Sequence, residues 1–294
     1  MKKKISAGRL VFNLFNYTFF IFICFICVVP VWHVFCASFS DPAWVMANTG
    51  IIWRIHKFNL EGYKLVFANS DIWSGYLNTI IYVAVTTVLG MFLTVMMAYA
   101  GAKKDALFAN AIMFLASFTM LFNGGMIASY IVNTDILKLY DTRLAIILPV
   151  CVNAFYLILI RTAIQTVPDS LIESAKLDGA NDFVILFRII LPLIKATLAT
   201  VIMYYIIMQW NSWFSASIYL RSRDRFPLQL ILKELLINAS NTMEGAQSSS
   251  AASILNKQLL KYCTIIVSTA PILFFYPFVS KYFQSGVMIG AVKG

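Results

Sequence analysis

Six apolar runs, each long enough to cross the hydrocarbon core of a bilayer, set the main constraint on this chain. A transmembrane helix needs about 20 mostly apolar residues. The runs cover approximately residues 14–38, 78–100, 106–130, 143–165, 194–214 and 262–282. They show no period of two, and lipid offers an irregular backbone no hydrogen-bond partners. We therefore predict an all-α polytopic membrane protein with six transmembrane helices, in one transmembrane domain over residues 1–294.

The composition agrees with a membrane location. Hydrophobic residues make up 60% of the chain, charged residues 12%, and the mean hydropathy is +0.78. A soluble domain has about 25% charged residues, so this chain cannot cover its surface with polar groups in water. The net charge of +10 is spread along the sequence. That distribution disfavours nucleic-acid binding and suits contact with anionic lipid headgroups.

The basic N-terminal segment resembles the start of a secretory signal, but the features of cleavage are absent. Lys2, Lys3, Lys4 and Arg9 precede the first apolar run. This run is longer than a signal-peptide apolar region and lacks a convincing small-residue cleavage site. We predict a retained first helix.

Lys and Arg are denser in the segments that lie inside when the N-terminus is cytoplasmic. This topology places both termini and the 166–193 loop in the cytoplasm, and the 39–77 and 215–261 segments outside. The Arg221, Arg223 and Arg225 cluster argues mildly against it, although the rule weakens for long loops. In the outer segments we predict interface aromatic residues, a short amphipathic helix over Leu228 to Leu236, and a mobile Ser-rich loop over Asn238 to Ser253.

Several polar side chains lie within or beside the apolar runs. They are Asn123, Asn153, Tyr156, Tyr204, Tyr205, Gln209 and Asn211. Such residues either bond neighbouring helices or line an aqueous path, and the sequence leaves both alternatives open. Gly124-Gly125 is likewise either a helix break or a point of close packing.

The cysteines and histidines do not form a metal site. The Cys24-x-x-Cys27 pair lies in the first apolar run, and His33 and His56 are far apart in sequence. No second cysteine pair or histidine cluster accompanies the Cys24/Cys27 pair. We interpret these cysteines as small apolar side chains and predict no bound metal.

A polar segment from Pro168 to Pro192 separates the fourth and fifth runs, and we call it the hairpin. Ser170-x-x-Glu173 matches a capping box, which predicts a first short helix over about 171–178 that ends at Gly179. Asn181 or Asp182 is expected to cap a second short helix over about 183–190. Pro192 is expected to open the fifth membrane helix.

The first short helix has an apolar stripe bordered by charge. Leu171, Ile172 and Ala175 form the stripe, beside Glu173, Lys176 and Asp178. A free loop would not leave Leu and Ile in water, so the stripe predicts docking into a groove of a partner protein. Small residues there would allow a close approach.

The hairpin resembles the E-A-A-x3-G-x9-I-x-L-P coupling loop of permease subunits in ATP-binding-cassette importers. Glu173-Ser174-Ala175 stand at E-A-A, followed by Gly179, Ile189 and Leu191-Pro192 at the remaining positions. Ser174 is the single departure, and it replaces one small residue by another. The resemblance implies that the loop docks on an ATPase subunit. The residues we assign to ATPase coupling are Leu171, Ile172, Glu173, Ser174, Ala175, Asp178, Gly179, Asp182, Ile189 and Pro192.

Other stretches are similar to carbohydrate-importer permeases, including alginate-type importers. They begin at Leu121 (L-F-N-G-G-M-I), Asp141 (D-T-R-L-A-I-I-L-P), Trp210 (W-N-S-W-F-S-A-S-I-Y-L) and Tyr276 (Y-P-F-V-S-K-Y-F-Q-S-G). The likeness implies a type I importer (MetI-like) fold in the bacterial cytoplasmic membrane. It implies a heterodimer with a second homologous permease, two ATPase subunits and an extracytoplasmic solute-binding protein that delivers oligosaccharide.

Aromatic faces stack on sugar rings and amides bond sugar hydroxyls. The residues we assign to the translocation path are Asn123, Asn153, Tyr156, Tyr204, Trp210, Asn211 and Trp213. No G-x-x-x-x-G-K-[ST] phosphate loop occurs, so we expect ATP and Mg to bind the partner ATPases, and this chain to hold no cofactor and perform no catalysis.

Two other functions remain open. One is an importer permease for a non-sugar solute. Arginines along the path would favour an anion, and only Arg161 stands at a helix end. The other is an ion-coupled secondary transporter or an integral membrane enzyme, for which intramembrane Asp, Glu or His is expected; the runs hold only His33.

Overall fold

The computed structural model describes residues 7–48, 50–103, 106–244, 259–274 and 277, with the backbone alone over 238–244. These residues are mostly helical and include no β-strand. They group into two compact units, which are the described parts of Met1–Asn69 with Glu234–Thr269 and of Ser70–Lys233 with Ala270–Gly294.

The helices of the described residues are numbered in chain order. They are α1 Ala7–Ser38, α2 Pro42–Ala47, α3 Glu61–Ala68, α4 Ser70–Ala102, α5 Ala109–Leu121, α6 Gly125–Ile131, α7 Leu144–Ile147, α8 Ala154–Ile164, α9 Asp169–Leu177, α10 Asp182–Val184, α11 Leu191–Leu193, α12 Lys195–Trp210, α13 Phe214–Tyr219, α14 Leu228–Glu244 and α15 Leu259–Phe274. Wide helical turns follow α6 (Val132–Ile136) and join α10 to α11 (Ile185–Ile190), and a tight turn extends α7 (Leu148–Val150).

Two helices are long and apolar enough to cross a bilayer unbroken. They are Gly8–Ser38, within α1, and α4. Counting two bent helix pairs as spans raises the number to four, and α5 and α15 are shorter apolar helices. The helical, polytopic class predicted from the sequence is confirmed. The first two helices start earlier than the predicted 14–38 and 78–100.

The third predicted run, 106–130, is not one helix. Residues 122–124 separate α5 from α6, and the side-chain oxygen of Asn123 accepts the Gly125 N–H at 2.9 Å. Gly125 has φ +79° and open space around its Cβ position. An Asn side chain that competes for backbone amides ends a helix, so Gly124-Gly125 is a break rather than a packing point.

The fourth and fifth runs are bent. Leu144–Val150 meets Ala154–Ile164 at 44°, and Asp182–Leu193 meets Lys195–Trp210 at 86°. The prediction that Pro192 opens the fifth membrane helix is wrong. Pro192 lies in the short α11, and the long helix starts at Lys195 after the bend. A wide turn immediately precedes this proline, which has no N–H for a regular helix ladder.

The segments predicted to be outer loops contain more helix than expected. Helices α2, α3 and the start of α4 lie within 39–77, and all but the first residue of α13 and the whole of α14 lie within 215–261. Helix α14 continues from Leu228 to Glu244, so the first seven residues of the predicted mobile loop are helical. The rest of that loop falls outside the described residues.

In the first unit, α3 packs closely against α15. A Cβ on Gly62 would lie 2.6 Å from the sulfur of Cys263 and 3.2 Å from the Cβ of Leu259. Cys36, Ala37, Val45 and Ile52 form a buried cluster beside this contact, with Trp44 and Tyr262 at its edge. Trp44 therefore contributes to a small core, whereas Trp53 and Trp73 of the same outer segment are exposed.

In the second unit, α4, α8 and α12 surround one core. Tyr205 of α12 lies against Gly90 of α4, and its hydroxyl bonds the Cys151 carbonyl at 2.8 Å and Thr94 at 2.8 Å. Gln209 donates to the Ile146 carbonyl at 3.3 Å. Two of the polar membrane residues, Tyr205 and Gln209, thus bond neighbouring helical segments instead of standing free.

We expect Gly90→Ala to destabilise the second unit. Its Cβ would lie 2.8 Å from the Tyr205 ring and 3.0 Å from the Cys151 carbonyl oxygen, and such overpacking costs about 1–3 kcal/mol. Thermal unfolding of the purified protein in detergent measures the loss. Gly8→Ala, where nothing lies within 4 Å, is the matched control. A Gly90→Ala protein that melts at or above the wild-type temperature would contradict this packing.

Candidate functional site

The hairpin turns sharply between two helical arms, α9 and Asp182–Leu193. Gly179 has φ +80°, and it follows the end of α9 as predicted. The Gly179 N–H donates to the Lys176 carbonyl at 3.0 Å, and the Ala180 N–H donates to the Ala175 carbonyl at 2.9 Å. This pair of bonds is a Schellman motif, in which glycine takes the left-handed position without a Cβ clash. The turn is therefore fixed by its backbone.

The predicted capping box does not form. Helix α9 begins at Asp169 after Pro168, so Ser170 lies inside its first turn, and the residue at the cap position is a proline that makes no side-chain hydrogen bond. The Ser170 carbonyl accepts instead from the Ser174 hydroxyl at 2.9 Å. Pro168 excludes the helical conformation from the residue before it, and this sets the boundary. The second arm is capped as expected, because Asn181 accepts from the Val184 N–H at 2.9 Å.

The inner face of the hairpin is built into the protein's own core. Ala175 is only 9% exposed, and Ile172 and Ile189 pack against the same buried cluster. The cluster also takes residues from the membrane helices and from the second arm. Its buried members are Val95, Ala98, Tyr156, Ile160, Ile164, Val167, Ala175, Ile185, Leu186, Ile190, Ile194, Val201 and Tyr205. Two members of the predicted stripe, Ile172 and Ala175, therefore face this chain rather than a partner's groove.

The third member of the predicted stripe, Leu171, stays on the surface of the hairpin together with other apolar side chains. Leu177 is 90% exposed, and Leu171 and Phe183 are also exposed. Glu173 and Asp178 are exposed as well. The exposed Leu and Phe side chains next to carboxylates have the composition of a docking surface. Pro192 is exposed at the end of the second arm.

An ionic contact ties the second arm to the end of α4. The Asp182 carboxylate lies 2.5 Å from the Lys103 ammonium and accepts from the Tyr99 hydroxyl at 3.2 Å. The ammonium also lies 5.0 Å from the centre of the Tyr99 ring. Hydrogen bonding with Lys103 lowers the pKa of Asp182. Sequence reasoning missed Tyr99 and Lys103, because both lie about 80 residues before Asp182 in the chain.

A cavity of about 530 Å³ lies between α9 and the ends of α4 and α8. Its polar lining includes Lys103, Lys176, Asp169 and Glu173. A lining with both charges can bond water, so the hairpin meets the helices through a polar space on one side and a packed core on the other.

Aromatic side chains of the predicted path meet between α8 and α12. The Tyr156 and Tyr204 rings stack with centroids 5.7 Å apart, and Tyr156 meets Tyr205 edge-on at 4.8 Å. Asn153 lies beside them as the cap of α8, where its oxygen accepts from the Phe155 and Tyr156 N–H groups. Asn123 lies in the α5–α6 break instead.

The end of α12 holds the other predicted path residues. Trp210 is 7% exposed, and its ring meets Tyr76 edge-on at 6.4 Å. The side-chain amide of Asn211, the C-cap residue of α12, donates to the Ile207 carbonyl at 2.8 Å. The Trp213 ring carries the Lys233 ammonium 3.8 Å from its centre. Sequence reasoning missed Tyr76 and Lys233, which are distant in sequence from this turn.

A network of loop contacts closes the ends of α4 and α7. Asn78 donates to the Asp224 carbonyl at 2.7 Å and accepts from Arg143 at 3.1 Å. Asp141 accepts from the Ser222 hydroxyl at 2.5 Å and from the Ser222 N–H at 2.9 Å.

Ionic contacts join the same segments. Arg225 contacts both the carboxylate and the backbone carbonyl of Asp141, and Arg223 pairs with Asp71 at 2.7 Å. Within the described parts of the chain, no group of three or more His, Cys, Asp or Glu residues could hold a metal.

Residues 90–288 match the family described as "Binding-protein-dependent transport system inner membrane component". The chain is 36% identical to the polygalacturonan/rhamnogalacturonan transport system permease protein YtcP of Bacillus subtilis, over 97% of this chain and 99% of that one. It is 28% identical to the arabinooligosaccharides transport system permease protein AraQ of the same organism, over 80% of this chain and 79% of that one.

A solved structure has the same fold. It is a bacterial ABC transporter involved in the import of the acidic polysaccharide alginate, with a TM-score of 0.84 and 29% identity over 96% of this chain and 100% of that one. The fold and the hairpin define a transport permease. The chain belongs to the family of binding-protein-dependent transport system inner membrane components.

The contacts of Asp141 with Ser222 and Arg225 should make the stability of the loop network at the ends of α4 and α7 depend on pH. Hydrogen bonds from the Ser222 hydroxyl and from the Ser222 and Arg221 amides lower its pKa to about 2. A carboxylate with a depressed folded-state pKa stabilises the fold above its ordinary pKa of about 4, and the stabilisation is lost as the pH falls towards the folded-state value.

We therefore expect Asp141→Asn to lower the thermal unfolding temperature by a few degrees at neutral pH, with the difference shrinking between about pH 4 and pH 2. Asp224→Asn, whose side chain is 74% exposed, is the control and should change little. A constant difference across this pH range would contradict the assignment.

Proposed function

We propose that this chain is the membrane-spanning permease subunit of an ATP-driven importer that takes oligosaccharides from an extracytoplasmic solute-binding protein. The observation that carries the proposal is the hairpin. Its inner face is part of the core of α4, α8 and α12, and its outer face exposes Leu171, Leu177 and Phe183. This arrangement suits an element that a partner displaces and that transmits the displacement to the membrane helices.

The partners supply what this chain lacks. Two ATPase subunits would bind ATP and Mg, and the hairpin would dock on one of them. A second, related permease would complete the pathway as a heterodimer. In this arrangement both termini and the hairpin lie in the cytoplasm. The family description supports the binding protein and the membrane location.

Coupling is assigned to the whole hairpin rather than to a single side chain. Glu173, Ser174 and Asp178 would contact the ATPase through the exposed face. Gly179 and Asp182 would hold the shape of the hairpin and its tie to α4. Ile172, Ala175, Ile189 and Pro192 would carry the movement into the core and the bend before α12.

Sugar recognition is assigned to the aromatic and amide groups near α8 and α12. Tyr156, Tyr204, Trp210 and Trp213 supply aromatic rings, and Asn153 and Asn211 supply amides. Asn123 supplies a further amide from the break between α5 and α6. Ring stacking and amide hydrogen bonds are the contacts that sugars make. The names of the relatives, which describe polygalacturonan, rhamnogalacturonan, arabinooligosaccharide and alginate transport, support oligosaccharide as the substrate class.

The reconstituted complex tests the proposal. ATP hydrolysis and sugar uptake are measured in proteoliposomes with the candidate binding protein, empty or loaded with each of a panel of oligosaccharides. We expect one loaded protein to stimulate both activities. Failure to recover an ATPase partner with the purified chain would refute the proposal, as would the absence of stimulation by every sugar.

Gly179→Val should uncouple transport and leave membrane insertion intact. The left-handed φ strains a β-branched residue by about 1–3 kcal/mol, although nothing lies within 4 Å of the Cβ position. The loss therefore arises from the backbone of the turn. ATP-driven uptake and assembly with the ATPase are measured together, with Gly124→Val, outside the hairpin, as the control. Uptake at the wild-type rate by the Gly179→Val protein would contradict a role of the Gly179 turn in coupling.

Charge reversal tests the tie between Asp182 and Lys103. Lys103→Asp and Asp182→Lys each replace the ion pair, whose charged atoms lie 2.5 Å apart in the wild type, with two like charges. We expect each variant to lower uptake per ATP hydrolysed. The double exchange restores opposite charges and should recover most of that ratio. Lys195→Asp, an exposed cation at the start of α12, is the control. If the double variant loses as much uptake per ATP hydrolysed as the two single variants, the contact between Asp182 and Lys103 does not contribute to coupling.

A further inference from the structure

The turn after α12 holds two buried polar atoms without a partner. They are the indole Nε1 of Trp210 and the hydroxyl of Ser212, neither of which makes a hydrogen bond within the described residues. Burying a donor without an acceptor is costly, and such groups in a native structure indicate a water or ligand that completes them. Trp210 belongs to the predicted path, and Ser212 lies between the predicted path residues Asn211 and Trp213.

A cation lies beside the same turn. The Lys233 ammonium is held 3.8 Å from the centre of the Trp213 ring, and Lys233 is half-buried. Among the described residues, the Lys233 ammonium contacts this ring and does not pair with a carboxylate. The neighbouring cations differ, because Arg223 pairs with Asp71 and Arg225 with Asp141. Lys233 therefore keeps its charge available for an anion.

The combination has the chemistry of an acidic sugar. An indole ring takes the apolar face of a pyranose, and N–H and O–H donors bond its hydroxyls. An ammonium pairs with a carboxylate. A neutral sugar would use the ring and the donors and would leave the ammonium without a counter-ion.

We propose that Trp210, Ser212, Trp213 and Lys233 form a recognition site for acidic oligosaccharides, with the Lys233 ammonium on a uronate carboxylate. This rests on the proposed function and names its substrate class. The similar chains named for polygalacturonan and alginate transport are consistent with such a substrate. Lys233 is here a specificity-determining residue rather than part of the coupling machinery.

Equilibrium binding to the purified complex tests the proposal. The probes are radiolabelled trigalacturonate and its methyl ester, which differ in charge at otherwise equal size. We expect the wild type to bind the free acid more tightly. Lys233→Gln should weaken binding of the acid about tenfold and that of the ester less than about twofold. Lys233→Arg keeps the charge and should retain the preference, which separates a charge effect from misfolding.

Arg221→Gln is the matched control, since it removes an exposed cation from the neighbouring loop. It should leave both affinities unchanged. Equal weakening of acid and ester by Lys233→Gln would overturn the inference, and so would a wild type that binds the acid no better than the ester or binds neither. Stimulation of ATP hydrolysis by neutral oligosaccharides alone would also overturn it and would leave the proposed function standing.

Discussion

The burial of the hairpin's inner face in the core of the membrane helices is the contact on which the rest of the account depends. Ala175 of α9 and Ile185 of the second arm share one cluster with Ala98, Ile160 and Val201 of α4, α8 and α12. Close-packed interiors transmit displacement because they have few voids to absorb it. A hairpin built this way moves with the helices, whereas a hairpin attached only by its chain ends would swing independently.

Two polar arrangements complement this core. At the hairpin, Asp182 joins Lys103 and Tyr99, so the second arm is fixed to α4 by charge as well as by packing. At the loops, Asp141 and Asn78 hold the 220–226 segment against the ends of α4 and α7. Both arrangements use carboxylates or amides with several donors, which fix an orientation better than a single bond does. The α12 residues that we assign to the translocation path lie in the same unit.

The sequence predicted what local rules determine and missed what long-range contacts determine. The helical class, the turn at Gly179 and the Asn181 cap follow from apolar run length and short-range chemistry. The stripe of Ile172 and Ala175 was assigned to a partner because a sequence pattern identifies an apolar face but not what covers it. Tyr99 and Lys233 could not be found, since their partners lie in distant segments. The breaks at Asn123 and Pro192 depend on backbone geometry that hydropathy does not contain.

The most direct test of the shared core is a distance measurement during the ATP cycle. Spin labels placed at the exposed Leu177 of α9 and Thr162 of α8 report whether the hairpin moves with the membrane helices in the reconstituted complex. The account predicts the same narrow distance distribution without nucleotide, with ATP trapped and after hydrolysis. A distribution that shifts or broadens when ATP binds would show that the hairpin moves against the helices and would contradict the account.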